Sequence, residues 1–224
     1  MPVHAGTWSL VQHPNKTTCA SSPCAITVTS TTAGNLLIGI AGFSTNTGAM
    51  TSITGGTSVH PSCKSTSGSF VSNIAYVLSA TGGTTSVSFT YSGTDDWIEF
   101  LEYKSLGGTP TFDVCGVRSD TSSGANIAGV SAGTLSGTND VIVQFGEWQN
   151  LGATVCTNSS ASPNDFPNSN SVCGLINSTN TAAGTYSNAS GNSNVALGSV
   201  AFKDTGGGVA CTPRLMLTHA GGPC

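Results

Sequence analysis

The stretch TTAGNLLIGIAGFS, residues 31–44, is the part of the sequence that decides the fold. A membrane-spanning helix needs about 20 consecutive apolar residues, and this apolar run extends only from Leu36 to Phe43. A secretory signal would begin with a basic segment at the N-terminus, whereas residues 1–30 have Lys16 as their single basic residue. Its length and the turn residues around it therefore predict a buried β-strand, with no membrane span.

The composition limits the classes of partner. Charged residues make up 7% of the chain, against about 25% in an ordinary soluble domain. Six Lys and Arg residues in total are too few for the basic surface that nucleic acid or an anionic membrane requires. Low charge also removes the repulsion that keeps sheet edges apart. We therefore expect no nucleic acid partner and no cofactor, and we expect copies of the chain to bind one another.

The eight cysteines are an even number without a CxxC pair. The four histidines do not lie at metal-ligand spacing, so disulfides are favoured over zinc, with buried free thiols as the alternative. Chain proximity suggests the pairs Cys19–Cys24, Cys156–Cys173 and Cys211–Cys224, which leaves Cys63 and Cys115 for each other, although sequence alone does not fix the pairing. Disulfides predict an extracellular or cell-surface location.

Short, β-branched segments between glycine-rich turns predict an all-β protein. The predicted strands are 7–13, 25–29, 36–43, 69–78, 86–91, 97–103, 112–117, 127–130, 140–148, 195–203 and 214–219. This pattern is typical of a two-sheet antiparallel sandwich of the jelly-roll kind, stapled by disulfides. We predict a single domain over residues 1–224, with a long loop excursion at 149–194 and a disulfide-tied tail at 204–224.

Two distant segments resemble each other. TTAGNLLIGIAGF and SGTNDVIVQFGEW both pass from a Thr/Gly/Asn turn into an apolar strand that ends on an aromatic residue. Such a likeness is expected when similar strands begin the two halves of a sandwich, but it is too short to establish a duplication.

The succession TAGNLLIGIAGFS, SNIAYVLSATGGTTSVSFTYS, IEFLEYKSLGGTPTFDV, AGTLSGTNDVIVQFG and NVALGSVAFKD resembles an anonymous module that recurs in secreted and surface-displayed bacterial proteins. The likeness covers roughly residues 8 to 203. It implies an extracellular β-sandwich used for adhesion, display or glycan contact. The eight cysteines and the tail CTPRLMLTHAGGPC depart from that pattern, and no site residue is carried over.

Candidate catalytic groups are few. Strand alternation places Glu99 and Glu102 on opposite faces, so these two cannot form a carboxylate pair. Glu102 and Glu147 each end a core-facing row, and neighbouring strands would bring them to the separation that glycoside hydrolysis uses. The alternative is that each caps a strand end. We therefore predict that the chain is not an enzyme.

Other polar and aromatic residues suggest binding or modification. Trp148, and with it Trp97, are candidate glycan contacts, because an exposed indole stacks on a sugar face; the alternative is core packing. Asp95 and Asp96 are either a calcium-binding turn or solvated turn residues. Candidate glycosylation sites are Asn15, Asn158, Asn177 and Asn188.

These observations predict a non-catalytic extracellular structural protein. It would be a subunit of a filament, a pilus-like fibre or a surface coat that assembles through β-strand edges, including the N-terminal strand GTWSLVQH. The alternative is a carbohydrate-binding or adhesion module with polysaccharide as its partner. A glycan-active hydrolase is a lesser alternative.

Overall fold

The computed structural model describes residues 8–14, 17–59, 63–120, 126–137, 140–148, 155–157, 172–178, 185–187 and 194–205. Within these residues the chain forms strands and no helix. The strands are β1 Trp8–Gln12, β2 Cys24–Thr27, β3 Leu36–Phe43, β4 Ala49–Ile53, β5 Ser58–Val59, β6 Lys64–Ser67, β7 Phe70–Val77, β8 Ser86–Ser92, β9 Asp95–Ser105, β10 Pro110–Asp120, β11 Asn126–Ile127, β12 Asp140–Glu147, β13 Val155–Thr157, β14 Val172–Ser178, β15 Thr185–Ser187 and β16 Val195–Asp204.

These strands form four sheets. The large N-terminal sheet has the order β1-β9-β3-β7-β5, with β6 also paired to β7, and the small N-terminal sheet has the order β2-β8-β4. The large C-terminal sheet has the order β10-β16-β12-β14, and the small C-terminal sheet has the order β11-β15-β13. The strand pairs are antiparallel. The predicted all-β antiparallel sandwich is confirmed.

Three apolar cores separate the layers. Ile38, Trp97, Phe145 and Phe202 belong to the central core, which lies between the two large sheets. One outer core packs the small N-terminal sheet on the large one, with Phe43, Phe89 and Phe100 among its members. The other packs the small C-terminal sheet on its large partner and contains Trp148. Each large sheet is therefore covered on both faces. For this reason β3 reads as an unbroken apolar run, as buried strands do.

The two halves of the chain have the same topology. In order along the chain, β1, β2, β3, β4, β7, β8 and β9 of the first half correspond to β10, β11, β12, β13, β14, β15 and β16 of the second. The sheet orders β1-β9-β3-β7 and β2-β8-β4 then become β10-β16-β12-β14 and β11-β15-β13 without any exchange. The short strands β5 and β6 are additions to the first half.

Strand register supports the same correspondence. Leu36 lies opposite Tyr103 in the first half, and Val141 lies opposite Phe202 in the second. Each half also has a bulge at the same place in its first strand. The register shifts between Leu10 and Gln12 in β1, and between Phe112 and Val114 in β10. The similar segments noted in the sequence are β3 and β12, the matching strands of the two large sheets.

Polar contacts and one disulfide join the halves. The disulfide connects Cys63, just before β6, with Cys115 of β10. The Trp97 indole N–H donates to the buried carboxylate of Glu147, and the Ser72 hydroxyl donates to the Ala196 carbonyl at 2.9 Å. With the central apolar core, these contacts fix the two large sheets face to face.

The prediction of a loop excursion over 149–194 was wrong in part. Strands β13, β14 and β15 lie within it, and β14 is an edge strand of the large C-terminal sheet beside β12. Val172 and Gly174 of β14 are buried. Short strands with many Ser, Thr and Asn residues carry too little apolar alternation to be recognised in sequence. The predicted strand at 214–219 and the tail from 206 onward lie outside the described residues.

Candidate functional site

The first feature of interest is the outer side of β1, which we name the β1 edge. This strand pairs with β9 on one side, and no described strand pairs with its other side. Its sequence, WSLVQ, contains no charged residue. Trp8 is 3% exposed and anchors the strand in the core, while Val11 at the bulge is 44% exposed. Such an uncharged and unpaired edge is open to a further strand.

The opposite side of the same sheet has a similar feature. Strand β5 pairs with β7 through Ser58 and Val59, and Val59 is 38% exposed. We name the outer side of this strand the β5 edge. The large N-terminal sheet thus presents an exposed valine at each of its two ends, since β1 and β5 are the outermost strands of its main path.

The second feature is a cluster of four polar residues in the C-terminal half: Asp113, Ser136, Asp140 and Lys203, named the carboxyl–lysine cluster. Asp113 is the bulged residue of β10. Its carboxylate accepts a hydrogen bond from the Ser136 backbone N–H at 2.7 Å and another from the Ser136 hydroxyl. The Lys203 ammonium lies 3.4 Å from the Asp113 carboxylate and donates to the Ser136 hydroxyl at 2.7 Å.

Asp140 completes this cluster and is entirely buried. No N–H or O–H group of the described residues donates to either of its carboxyl oxygens. The neighbouring Asp113 carboxyl group acts on the pKa of Asp140 through hydrogen bonding and through its negative charge, and two carboxyl groups can share a hydrogen bond only when one of them holds a proton. Gly137 packs directly on Asp140, where a side chain would collide with the carboxyl oxygen.

The two carboxyl groups titrate in opposite directions. Burial, followed by the hydrogen bond with Asp113 and the negative charge of Asp113, raises the pKa of Asp140 to about 7. Burial acts to raise the pKa of Asp113 as well, but the hydrogen bonds from Ser136 and the positive charge of Lys203 outweigh it and lower that pKa to about 2. Between these values Asp140 holds the shared proton and Asp113 is ionised.

A third feature is a shallow pocket of about 480 Å³ beside the end of β1. It is lined by Gln12, His13, Pro14, Thr27, Val28 and Thr29. The His13 ring nitrogen lies 3.2 Å from the Glu99 carboxylate, which is completely buried. The pocket therefore combines hydroxyl groups with an imidazole held by a buried acid.

The predicted glycan contacts are contradicted. Trp97 is 1% exposed and Trp148 is fully buried, so neither indole can stack on a sugar. In the sequence Trp148 precedes the polar residues 149–194 and was therefore expected to be exposed. The small C-terminal sheet covers it in the outer core. The alternative reading, core packing, is the correct one for both residues.

The predicted carboxylate dyad is not formed. Glu102 lies opposite Leu37, on the face of the large N-terminal sheet that packs on the small N-terminal sheet. Glu147 reaches Trp97 in the central core on the other face. Glu102 instead accepts hydrogen bonds from Gln12, the Thr32 backbone and Asn35. Both residues serve as structural acceptors, and Glu99 and Glu102 lie on opposite faces as predicted.

Two of the predicted disulfides are present: Cys19–Cys24 and Cys63–Cys115. The side chains of Cys156 and Cys173, and all of Cys211 and Cys224, lie outside the described residues. The two observed bridges indicate an oxidising environment.

The remaining predicted sites fall mostly outside the described part. Asn15, Asn158 and Asn188 are not described, and of Asn177 only the backbone is described, within β14. Asp95 and Asp96 begin β9 instead of forming a turn, and their side chains are also outside the description. No group of three or more His, Cys, Asp or Glu residues suited to a metal ion occurs among the described residues.

Sequence reasoning missed the carboxyl–lysine cluster. Asp113, Asp140 and Lys203 lie on three strands that are far apart in the chain, and Ser136 lies in the segment just before Asp140. Asp113, Asp140 and Lys203 come together through the pairing of β10, β16 and β12. Because this pairing is not visible in the sequence, the sequence alone gave no signal for the cluster.

Comparison of the chain with protein-family models, with curated proteins and with solved structures found no match. The resemblance of residues 8 to 203 to a bacterial surface module therefore stays a prediction. Within the described residues, no helix is long and apolar enough to cross a bilayer.

Proposed function

We propose that this chain is a non-catalytic extracellular structural protein whose copies assemble edge to edge through the large N-terminal sheet. The observation that carries the proposal is the pair of open edges on that sheet, each with an exposed valine, Val11 on β1 and Val59 on β5. Monomeric β-proteins commonly protect such edges with lysine, proline or bulges. Here β1 has a bulge but no charge.

The two edges differ from each other, and this difference determines the form of the assembly. When the β1 edge of one copy meets the β5 edge of the next, the contact is heterologous and leaves a free edge at each end. Such contacts build an open filament unless the rotation between copies closes a ring. The low charge of the chain, 7% of residues, adds little repulsion between copies.

The test uses a lysine at either edge. Val11→Lys and Val59→Lys should each abolish filaments in negative-stain micrographs and large species in sedimentation velocity. Mixing the two variants should give discrete dimers, since each variant keeps the edge that the other has lost. The matched control is Thr90→Lys, which adds the same charge at an exposed position of β8, the central strand of the small N-terminal sheet. This control should still assemble.

Two results would contradict the proposal. One is a wild-type chain that stays monomeric at high concentration. The other is equal assembly by the two edge variants and the Thr90→Lys control.

The second candidate is a carbohydrate-binding or adhesion module, favoured by the pocket at Gln12, His13 and Thr29. Hydroxyl, amide and imidazole groups suit a polar sugar better than an apolar ligand. A glycan array separates the candidates, because a filament subunit needs no sugar selectivity, and a His13→Ala variant would weaken any selectivity that this pocket supplies.

A further inference from the structure

We propose that Lys203 and Asp140 condense to form an amide bond that links β16 to β12, with the Asp113 carboxylate as the general base. The proposal rests on the carboxyl–lysine cluster and is independent of how copies of the chain assemble. Both reacting groups belong to the chain itself, so the reaction needs no pocket for a separate substrate.

The strand register brings the two reacting groups together. Phe202 lies opposite Val141 across β16 and β12. Lys203 follows Phe202 and Asp140 precedes Val141, so Lys203 and Asp140 are next to each other on the same face of two paired strands, about 5 Å apart at their Cα atoms. Among the described residues, two charged groups act on Asp140: the Lys203 ammonium and the Asp113 carboxylate.

The three side chains have the properties that the reaction needs. An amine attacks a neutral carboxylic acid much more readily than a carboxylate, and Asp140 is the buried group that retains its proton, with a pKa of about 7. The base must be ionised, and Asp113, with a pKa of about 2, lies 3.4 Å from the Lys203 ammonium. The roles of the two aspartates therefore follow from their different surroundings.

The atoms balance without an added reactant. The Asp113 carboxylate takes a proton from the Lys203 ammonium, and the neutral amine attacks the Asp140 carboxyl carbon. The C–N bond forms, the C–OH bond of Asp140 breaks, and protonated Asp113 gives its proton to the departing hydroxyl. The Asp113 carboxylate then takes the second proton from the amide nitrogen, so that Asp113 ends as a neutral acid. The products are one amide and one water molecule, and the oxidation states of all atoms are unchanged.

Placement of the groups offsets the competition from water. The Lys203 side chain is 32% exposed, while Asp140 is fully buried beneath Gly137. Groups held on neighbouring strands meet far more often than groups free in solution, and effective concentrations of about 10⁵ M or more are reached where the groups attain reactive geometry. Condensation is therefore favoured locally although the amine lies near solvent.

The first half of the chain supplies a natural control. By strand register, Lys104 occupies the position of Lys203, Asn35 that of Asp140 and Val11 that of Asp113. Val11 cannot act as a base at the position of Asp113. Asn35 carries an amide in place of a protonated acid, and it donates its N–H to the Glu102 carboxylate at 2.6 Å. No amide bond is expected at this position.

The experiment is mass spectrometry of the full chain, reduced and unfolded, after incubation between pH 2 and pH 7. We expect the wild-type mass to be lower than the sequence mass by one water, and a digest to contain one peptide pair joined through Lys203 and Asp140. Lys203→Arg and Asp140→Ala should restore the full mass, and Asp113→Asn should slow the loss of water. Lys104→Arg should leave the loss unchanged. A wild-type chain at full mass would overturn the proposal, as would a Lys203 amide to Asp113.

Discussion

The two halves of this molecule share one topology and differ in the chemistry placed on it. In each half a bulge interrupts the first strand at the same register, between Leu10 and Gln12 or between Phe112 and Val114. The residue at the bulge is Val11 in the first half and Asp113 in the second. Val11 is 44% exposed on an uncharged edge, whereas Asp113 is paired with Lys203. The same backbone position is thus open in one half and charged in the other.

This difference extends to the neighbouring strands. Asn35 donates to the buried carboxylate of Glu102 and so holds a turn against the sheet. Its counterpart Asp140 instead has a raised pKa, owing to burial and to the neighbouring Asp113 carboxyl group. The repeated fold therefore places the uncharged residues Val11 and Asn35 in the first half where the second half has Asp113 and Asp140. Substitutions that exchange or remove the matched residues test which differences matter.

The largest expected effect is in the outer cores. By register, Phe43 and Trp148 are equivalent, and both are fully buried under the small sheets. Phe43→Ala and Trp148→Ala should each lower the free energy of unfolding by about 3–5 kcal/mol, measured by urea denaturation. Val11→Ala, at an exposed position, should change it by less than about 0.5 kcal/mol. A Trp148→Ala chain as stable as wild type would contradict the packing described here.

The disulfides are expected to differ by about a factor of two. Cys63–Cys115 joins the halves across a separation of 52 residues, whereas Cys19–Cys24 closes a separation of 5 within the first half. Chain entropy then predicts a stabilisation of about 4 kcal/mol for the first bridge and about 2 kcal/mol for the second. Double Cys→Ala variants of each pair, compared by urea denaturation, measure this difference. Equal losses would mean that the bridges act through native contacts instead of the unfolded chain.

Much of the fold was predictable because burial on both faces gives a strong signal. The runs LLIGIAGF and DVIVQFGE are apolar along their whole length, and their likeness reflects their equivalent places in the two large sheets. Strands such as β4 and β14 were missed because they are short and lie within segments rich in Ser, Thr and Asn. Trp148 was misjudged because the β-strand that covers it is itself weak in sequence.

The candidate sites were less predictable for a different reason. An open edge depends on which strand is outermost, and a carboxyl–lysine cluster depends on which strands are neighbours. Neither property is local in sequence. The low charge of the chain predicts self-association only in general terms. The places of Val11, Val59 and Asp113 at an edge or in a cluster follow from the order of the strands in the sheets.

The smallest expected effect is on the pH dependence of stability, and it compares the two halves at a single pair of matched residues. Asp140→Asn gives the second half the residue that the first half has at Asn35. The test uses the Lys203→Arg background, in which no amide can form and the positive charge is kept. An acid whose folded pKa, about 7, exceeds its unfolded value of about 3.9 favours folding most at low pH. Stability should therefore fall as the pH rises from about 4 to 7, by about 2 kcal/mol after allowance for solvent near the cluster.

Asp113 acts with the opposite sign and in a different range. Its folded pKa of about 2 lies below the unfolded value of about 3.9, so its contribution to stability is present above about pH 4 and is lost as the pH falls towards 2. Together the two acids predict a stability maximum near pH 4 in Lys203→Arg, with a loss on either side. Asp140→Asn in that background should remove the loss above pH 4, as measured by urea midpoints. If the dependence of stability on pH above pH 4 were the same with and without Asp140→Asn, Asp140 would not hold the proton. Asp140 and Asn35 would then contribute equally to the pH dependence of stability.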